Sequence, residues 1–146
     1  MKVTLINPPF LYISDHKLGV SQCLGLRTIS SHLKTKGHEI TFIDALMRGF
    51  GNVKPYANGF MVGLEYDEVV RLVPVDTEFV GISVPFSQVA PIAHDIIDLI
   101  RARLPRVKIV MGGVYPSTQP ELALQSEADY IVVGDGEFAF ERILEG

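Results

Sequence analysis

Cysteine occurs once in this chain, as Cys23. That excludes an internal disulfide, a cysteine-based zinc site and a self-contained iron–sulfur cluster. No uninterrupted apolar run reaches the ~18 residues that a membrane span requires. The N-terminal "MKVTLINPPF" has one lysine and a short apolar run that stops at a proline pair, unlike the longer apolar region of a signal peptide. Blocks of Lys and Arg are missing and the net charge is −4, so nucleic acid is not an expected partner. No phosphate-binding P-loop motif is present. The four histidines, His16, His32, His38 and His94, lack the close spacing of a helical metal site. What remains is a chain of 146 residues, 47% hydrophobic and 21% charged. This suits one domain around one core, with the cytoplasm as its expected setting.

Short apolar runs alternate with helical patterns along the chain. Strands are predicted at Val3–Ile6, Glu39–Ile43, Phe79–Val84, Val107–Met111 and Tyr130–Val133. Leu26, Ile29 and Leu33 recur at helical spacing within Leu24–Lys36, and Gly37 supplies the stop. Val89–Leu104 carries a continuous apolar stripe, with Asp95, Asp98 and Arg101 opposite and Pro105 at its end. Shorter helices are predicted at Tyr66–Val73 and Glu121–Ser126, and a last one begins at Glu137 and runs to Leu144. Arg48 to Gly63, rich in Gly and Asn, reads as a loop with little regular structure. Strands that are apolar throughout are covered on both faces. Their alternation with helices implies a doubly wound α/β fold of five parallel strands, flavodoxin-like and Rossmann-like, in the order 2-1-3-4-5.

Ligands of such sheets bind beyond the carboxyl ends of the strands, and the unusual residues gather there. The first strand runs into Asn7-Pro8-Pro9-Phe10, and the third into Ser83-Val84-Pro85-Phe86-Ser87. The fourth runs into Gly112-Gly113, followed by Tyr115, Pro116 and Ser117, and the fifth into Gly134-Asp135-Gly136-Glu137. Gly and Pro are ordinary turn residues. Two successive glycines exceed what a turn needs, and they leave bare backbone for a bulky ligand. Phe10 and Phe86 are equally readable as the edge of a capped core. Asp135 and Glu137 read as caps of the last helix rather than as an acid–base pair.

Two other readings share this topology. Gly134 to Ala139 fits G-x-G-x-x-A, the dinucleotide fingerprint, but it lies after the last strand, and Glu137 puts negative charge where a pyrophosphate should sit. A phosphoacceptor receiver domain needs an acid after the third strand and a lysine after the fifth. Asp44 ends the second strand, and no lysine follows Val133.

The stretches "LINPPF", "GLRTISSHLKTKGHEITFIDA", "FVGISVPFSQ", "KIVMGGVYPSTQPE" and "ADYIVVGDGEFAFERIL" together resemble the cobalamin-binding domain at the N-terminus of many radical S-adenosylmethionine enzymes. The resemblance takes in most of residues 1–146, apart from the stretch around 48–65. Cobalamin domains of mutases and methionine synthase carry D-x-H-x-x-G, then S-x-L, then G-G. Gly112-Gly113 matches the third mark, and Ser83-Val84-Pro85 occupies the second with Pro85 in the leucine position. For the first, Asp15-His16-Lys17-Leu18-Gly19 holds H-x-x-G with the aspartate one place too close. With the motif's glycine set at the start of the first helix, on Gly25, the histidine slot falls on Gln22 and the aspartate slot on Val20.

The resemblance therefore implies cobalamin bound base-off, with no histidine on the lower cobalt face. The nucleotide tail would thread past Gly112 and Gly113, bordered by Tyr115, Pro116 and Ser117. Ser83 would hydrogen-bond it, and Phe10 and Phe86 would pack on the corrin. His16 is the histidine nearest to an adventitious cobalt ligand. Cys23, at a helix start, has a setting that lowers a thiol pKa. The resemblance also implies a downstream radical S-adenosylmethionine domain holding a [4Fe–4S] cluster. Together they would form a methyltransferase or cyclase of which this chain is a fragment, not catalytic alone. A free-standing corrinoid carrier and a flavodoxin-like nucleotide-binding or interaction domain are the competing functions.

Overall fold

A five-stranded parallel sheet carries the chain, and its strands owe their place to side chains buried on both faces. The computed structural model describes residues 1–13 and 23–146. In chain order the elements are β1 (Lys2–Asn7), β2 (Phe10–Tyr12), α1 (Leu24–Thr35), β3 (Glu39–Asp44), α2 (Ala45–Arg48), β4 (Val53–Tyr56), β5 (Gly59–Val62) and α3 (Tyr66–Leu72). They continue with β6 (Phe79–Ser83), a 3-10 turn at Ser87–Val89, α4 (Ala90–Arg103), β7 (Lys108–Gly112), α5 (Val114–Thr118), α6 (Pro120–Ala123), β8 (Tyr130–Ile131) and α7 (Gly136–Glu145). The main sheet runs β3-β1-β6-β7-β8, all neighbours parallel. Counted over its own five strands this is the order 2-1-3-4-5, the flavodoxin-like arrangement expected from the alternation.

Successive side chains of a strand point to opposite faces, so each strand feeds two cores. Ile6, Ile82, Ile109 and Met111 face α3 and α4, while Val3, Leu5, Val110 and Val132 face α1 and α7. Helix α4 presents Ile92, Ile96, Ile97 and Ile100, all fully buried. Each contributes about 1.5–3 kcal/mol by leaving water, and truncating one to alanine costs about 2–5 kcal/mol. Helix α1 ends as its sequence predicts. Gly37 takes φ 86°, and the His38 N–H turns back to Leu33 O at 3.2 Å.

The stretch from Arg48 to Gly63 departs from the expected loop. It holds the end of α2 and the hairpin β4–β5, and β2 joins the hairpin in a separate antiparallel sheet of order β2-β5-β4. Its glycines mark close backbone contacts rather than slack chain. A β-carbon on Gly59 would lie 2.1 Å from Tyr12 O, and one on Gly49 would lie 2.2 Å from the Leu64 nitrogen. The four-residue α2 and the five-residue α5 were also not anticipated; turns this short carry no periodic signature. No helix among the described residues is long and apolar enough to cross a membrane.

Candidate functional site

Beneath α1 and α7, the sheet presents Gly81 and Ser83 from β6, Val110 and Gly112 from β7, and Val132 beyond β8. Register pairs Gly81 with Val110 and Ser83 with Gly112. Three of these positions lack a bulky side chain, and two of them, Ser83 and Gly112, sit at the carboxyl ends of adjacent strands. The helices cannot close on the sheet there, and a pocket of about 400 Å³ opens. Leu26 and Ile29 of α1 and Phe140 of α7 form its hydrocarbon walls. Its size and its place at the strand ends suit a small-molecule ligand.

Each glycine has its own reason. A β-carbon on Gly81 would come within 2.7 Å of the Phe140 ring, so Gly81 admits that ring. A β-carbon on Gly113 would lie 2.6 Å from Val84 O, and the residue holds φ 115°. A β-carbon on Gly112 would find only Val132, at 3.9 Å, and would otherwise face the pocket. The sequence suggested one shared role for the glycine pair. The structure divides it, because Gly113 packs on backbone and Gly112 keeps the opening clear.

Ser117 straps two of the loops together. Its hydroxyl donates to Gly113 O at 2.8 Å and accepts the Gly134 N–H at 3.0 Å. Ser83 stands beside the Cys23 thiol. Burial pushes that thiol up, outweighing the Leu26 backbone and Ser83 contacts that favour a thiolate. The lowered pKa anticipated for a thiol at a helix start is therefore reversed, since desolvation exceeds the helix-end effect. Asp135 stands at the N-cap of α7, yet its carboxylate makes no capping hydrogen bond, contrary to the expected role. Glu137 is the acid of the first turn. Among the described residues, no Lys or Arg lines the pocket.

The structure brings Gly25, Ser83, Gly112, Gly113, Ser117 and the run Gly134 to Glu137 to this one pocket. The other candidates lie elsewhere. Asn7 is buried and donates to Asp44 Oδ1 at 3.0 Å, and that carboxylate in turn caps α2 through the Met47 N–H. Pro8 and Pro9 are buried, with Pro9 against Gly63. Phe10 clusters with Tyr12 at 4.8 Å and edge-on with Phe86 at 5.8 Å, and Phe86 is 51% exposed. Val84 is buried, Pro85 half-buried, and Ser87 exposed at the start of the 3-10 turn. Tyr115 is only 4% exposed and belongs to the core on the opposite face, with its hydroxyl 3.4 Å from His94 Nε2; Pro116 beside it is also buried. Gln22 and His16 lie outside the described residues. The aliphatic walls were read from sequence only as core. Their signal was the run of Gly81, Ser83 and Gly112 on one face of adjacent strands. Among the described residues no cluster of His, Cys, Asp and Glu is arranged to hold a metal.

A sequence profile described as the B12 binding domain matches residues 18–144. The cytidylyl-2-hydroxyethylphosphonate methyltransferase of Streptomyces wedmorensis is 27% identical over 144 residues, which is 95% of this chain. The anaerobic magnesium-protoporphyrin IX monomethyl ester cyclase of Synechocystis sp. is 29% identical over 148 aligned positions, 99% of this chain. The chain spans 27% of the length of each of these two relatives. A cobalamin-binding protein from Desulfitobacterium hafniense DCB-2 superposes over 97% of this chain and 57% of its own, with a TM-score of 0.63 at 16% identity. The N-terminal domain of a hypothetical protein from Thermotoga maritima covers 92% of both chains at a TM-score of 0.51 and 17% identity. Both structures share the fold.

Proposed function

The chain belongs to the B12-binding domain family, and from that premise we propose that it holds cobalamin base-off, with the nucleotide tail in the pocket between the sheet and α1 and α7. The observation that carries this reading is the paired absence of bulk at Ser83 and Gly112, which leaves a slot under two helices at the strand ends. The slot fits the group: its walls are hydrocarbon, and it has a hydroxyl at Ser83 to meet a ring nitrogen. Gly112 gives the tail clearance. Ser117 keeps the two glycine loops at a set separation. The exposed Phe86 and the half-buried Phe10 offer apolar surface to the corrin beyond the strand ends.

The base-off state without imidazole rests on Gln22 standing in the histidine slot. When bound, cobalamin supplies cobalt-centred group-transfer chemistry, and the protein's part is to bind and orient it. The module would serve as the N-terminal part of a radical S-adenosylmethionine methyltransferase or cyclase. A [4Fe–4S] cluster of that enzyme needs thiolates from another part of the protein, because this chain has one cysteine.

Titration with hydroxocobalamin tests the reading. The wild-type chain should saturate and shift the visible spectrum to the base-off form. Gly112→Leu, whose side chain would enter the slot, should fold normally by circular dichroism and bind at least about tenfold more weakly, the effect of roughly 1.4 kcal/mol of lost contact. A base-on spectrum, or full affinity in the variant, would refute it.

A further inference from the structure

We infer that Phe140 sets how long a lower base this chain accepts: its ring, seated on Gly81, is the inner wall at which the base stops. The inference rests on the reading that the tail enters the pocket. Gly81 stands two residues before Ser83 in β6, about 6–7 Å further from the strand ends. It is buried, paired with Leu5 of β1 and Val110 of β7. A glycine inside a strand marks a close approach, and here the approach is that of the Phe140 ring. A β-carbon on Gly81 would lie 2.7 Å from Phe140 Cε2, 3.2 Å from its Cζ and 2.8 Å from Leu5 Cδ2. The ring edge therefore rests on bare backbone and has no room to retreat toward the sheet. One turn earlier on the same face of α7, Gly136 seats Ile29 of α1, since a β-carbon there would lie 2.8 Å from Ile29 Cδ1. Helix α7 is thus held against the sheet by one glycine contact and against α1 by another. Phe140 is 4% exposed, belongs to the core cluster of Leu26, Val110, Val132 and Leu144, and lines the pocket together with Gly81. A base that reaches past this ring has to displace it from a close-packed seat, which weakens binding on the order of tenfold to a hundredfold.

The test compares three ligands on the wild-type chain by calorimetry and visible spectra. They are cobinamide, which has no base, cobalamin, and a cobamide with a naphthimidazole base. That base carries a fused ring in place of the two methyl groups of cobalamin's dimethylbenzimidazole, and so reaches further. Cobalamin should bind tightest, and the naphthimidazole form should be weaker by about tenfold to a hundredfold. Phe140→Leu draws the wall back and should close most of that gap, measured on the same protein. Gly81→Ala pushes the ring into the pocket, so the advantage of cobalamin over cobinamide should shrink about tenfold. If the two based forms tie on the wild-type chain, both well above cobinamide, the length limit is overturned and the tail site stands. A gap that persists unchanged in Phe140→Leu overturns the assignment to Phe140. If cobinamide binds as tightly as cobalamin, or none of the three binds, the tail site itself falls. The wild-type comparison decides the length limit even where a variant fails to fold.

Discussion

Gly113 and Gly112 are neighbours with different obligations, and substitution should separate them. Gly113→Ala meets a left-handed φ of 115° and the Val84 carbonyl at 2.6 Å. Backbone strain of this kind costs about 1–3 kcal/mol, and the urea midpoint should fall accordingly with the slope unchanged. Gly112→Ala adds a carbon whose nearest neighbour is 3.9 Å away, so its midpoint should stay close to wild type. Equal losses at the two positions would contradict the division of roles. The sequence made the pair conspicuous. It held no sign of which glycine served the backbone, because the Val84 carbonyl reaches Gly113 only through the pairing of β6 with β7.

Helices α1 and α7 wall the pocket and are tied together on their outer side. His32 Nε2 lies 2.7 Å from Glu141 Oε2, and Lys36 Nζ lies 3.1 Å from Glu141 Oε1. The His32 side chain first, then Lys36, holds the Glu141 carboxyl below its ordinary value. A depressed folded pKa means stabilisation that is present above the unfolded value, about 4.3, and is lost as pH falls through the folded one. Glu141→Gln should therefore be less stable than wild type at neutral pH, and the two should converge in acid, as read from denaturant midpoints across pH. A difference that does not change with pH would refute the clamp. The helices themselves were legible from apolar spacing and from Gly37. The hairpin β4–β5 was not, because its third strand β2 comes from a distant part of the chain and its glycines resemble loop residues.

Across the whole molecule, the pocket and the hydrogen-bond network of Arg101 lie at opposite ends of the sheet. The pocket is at the carboxyl ends. Near the amino ends Arg101 donates to Pro105 O, Val107 O and Glu127 O, and to Asp129 Oδ2 at 2.7 Å. Burial alone would raise the Asp129 carboxyl; the Ile109 N–H and Arg101 outweigh it and hold it below the usual range. Arg101→Ala should cost about 2 kcal/mol of stability through these lost bonds. Corrinoid affinity should be unchanged, since distant sites act independently, and a parallel loss of affinity in titration would contradict this separation. The amino-acid sequence by itself determined the five apolar strands, the stops of α1 and α4 at Gly37 and Pro105 and the glycine-rich strand ends, because those signals depend on residues within a few positions of one another; the strand order followed from the regular alternation of strands and helices. Only the tertiary structure decided that Tyr115 turns into the core, that β2 joins the hairpin in a second sheet, and that Gly81, Ser83 and Gly112 line up beneath α1 and α7 to open a hydrocarbon pocket. Each of these depends on register between distant segments, which no local pattern encodes.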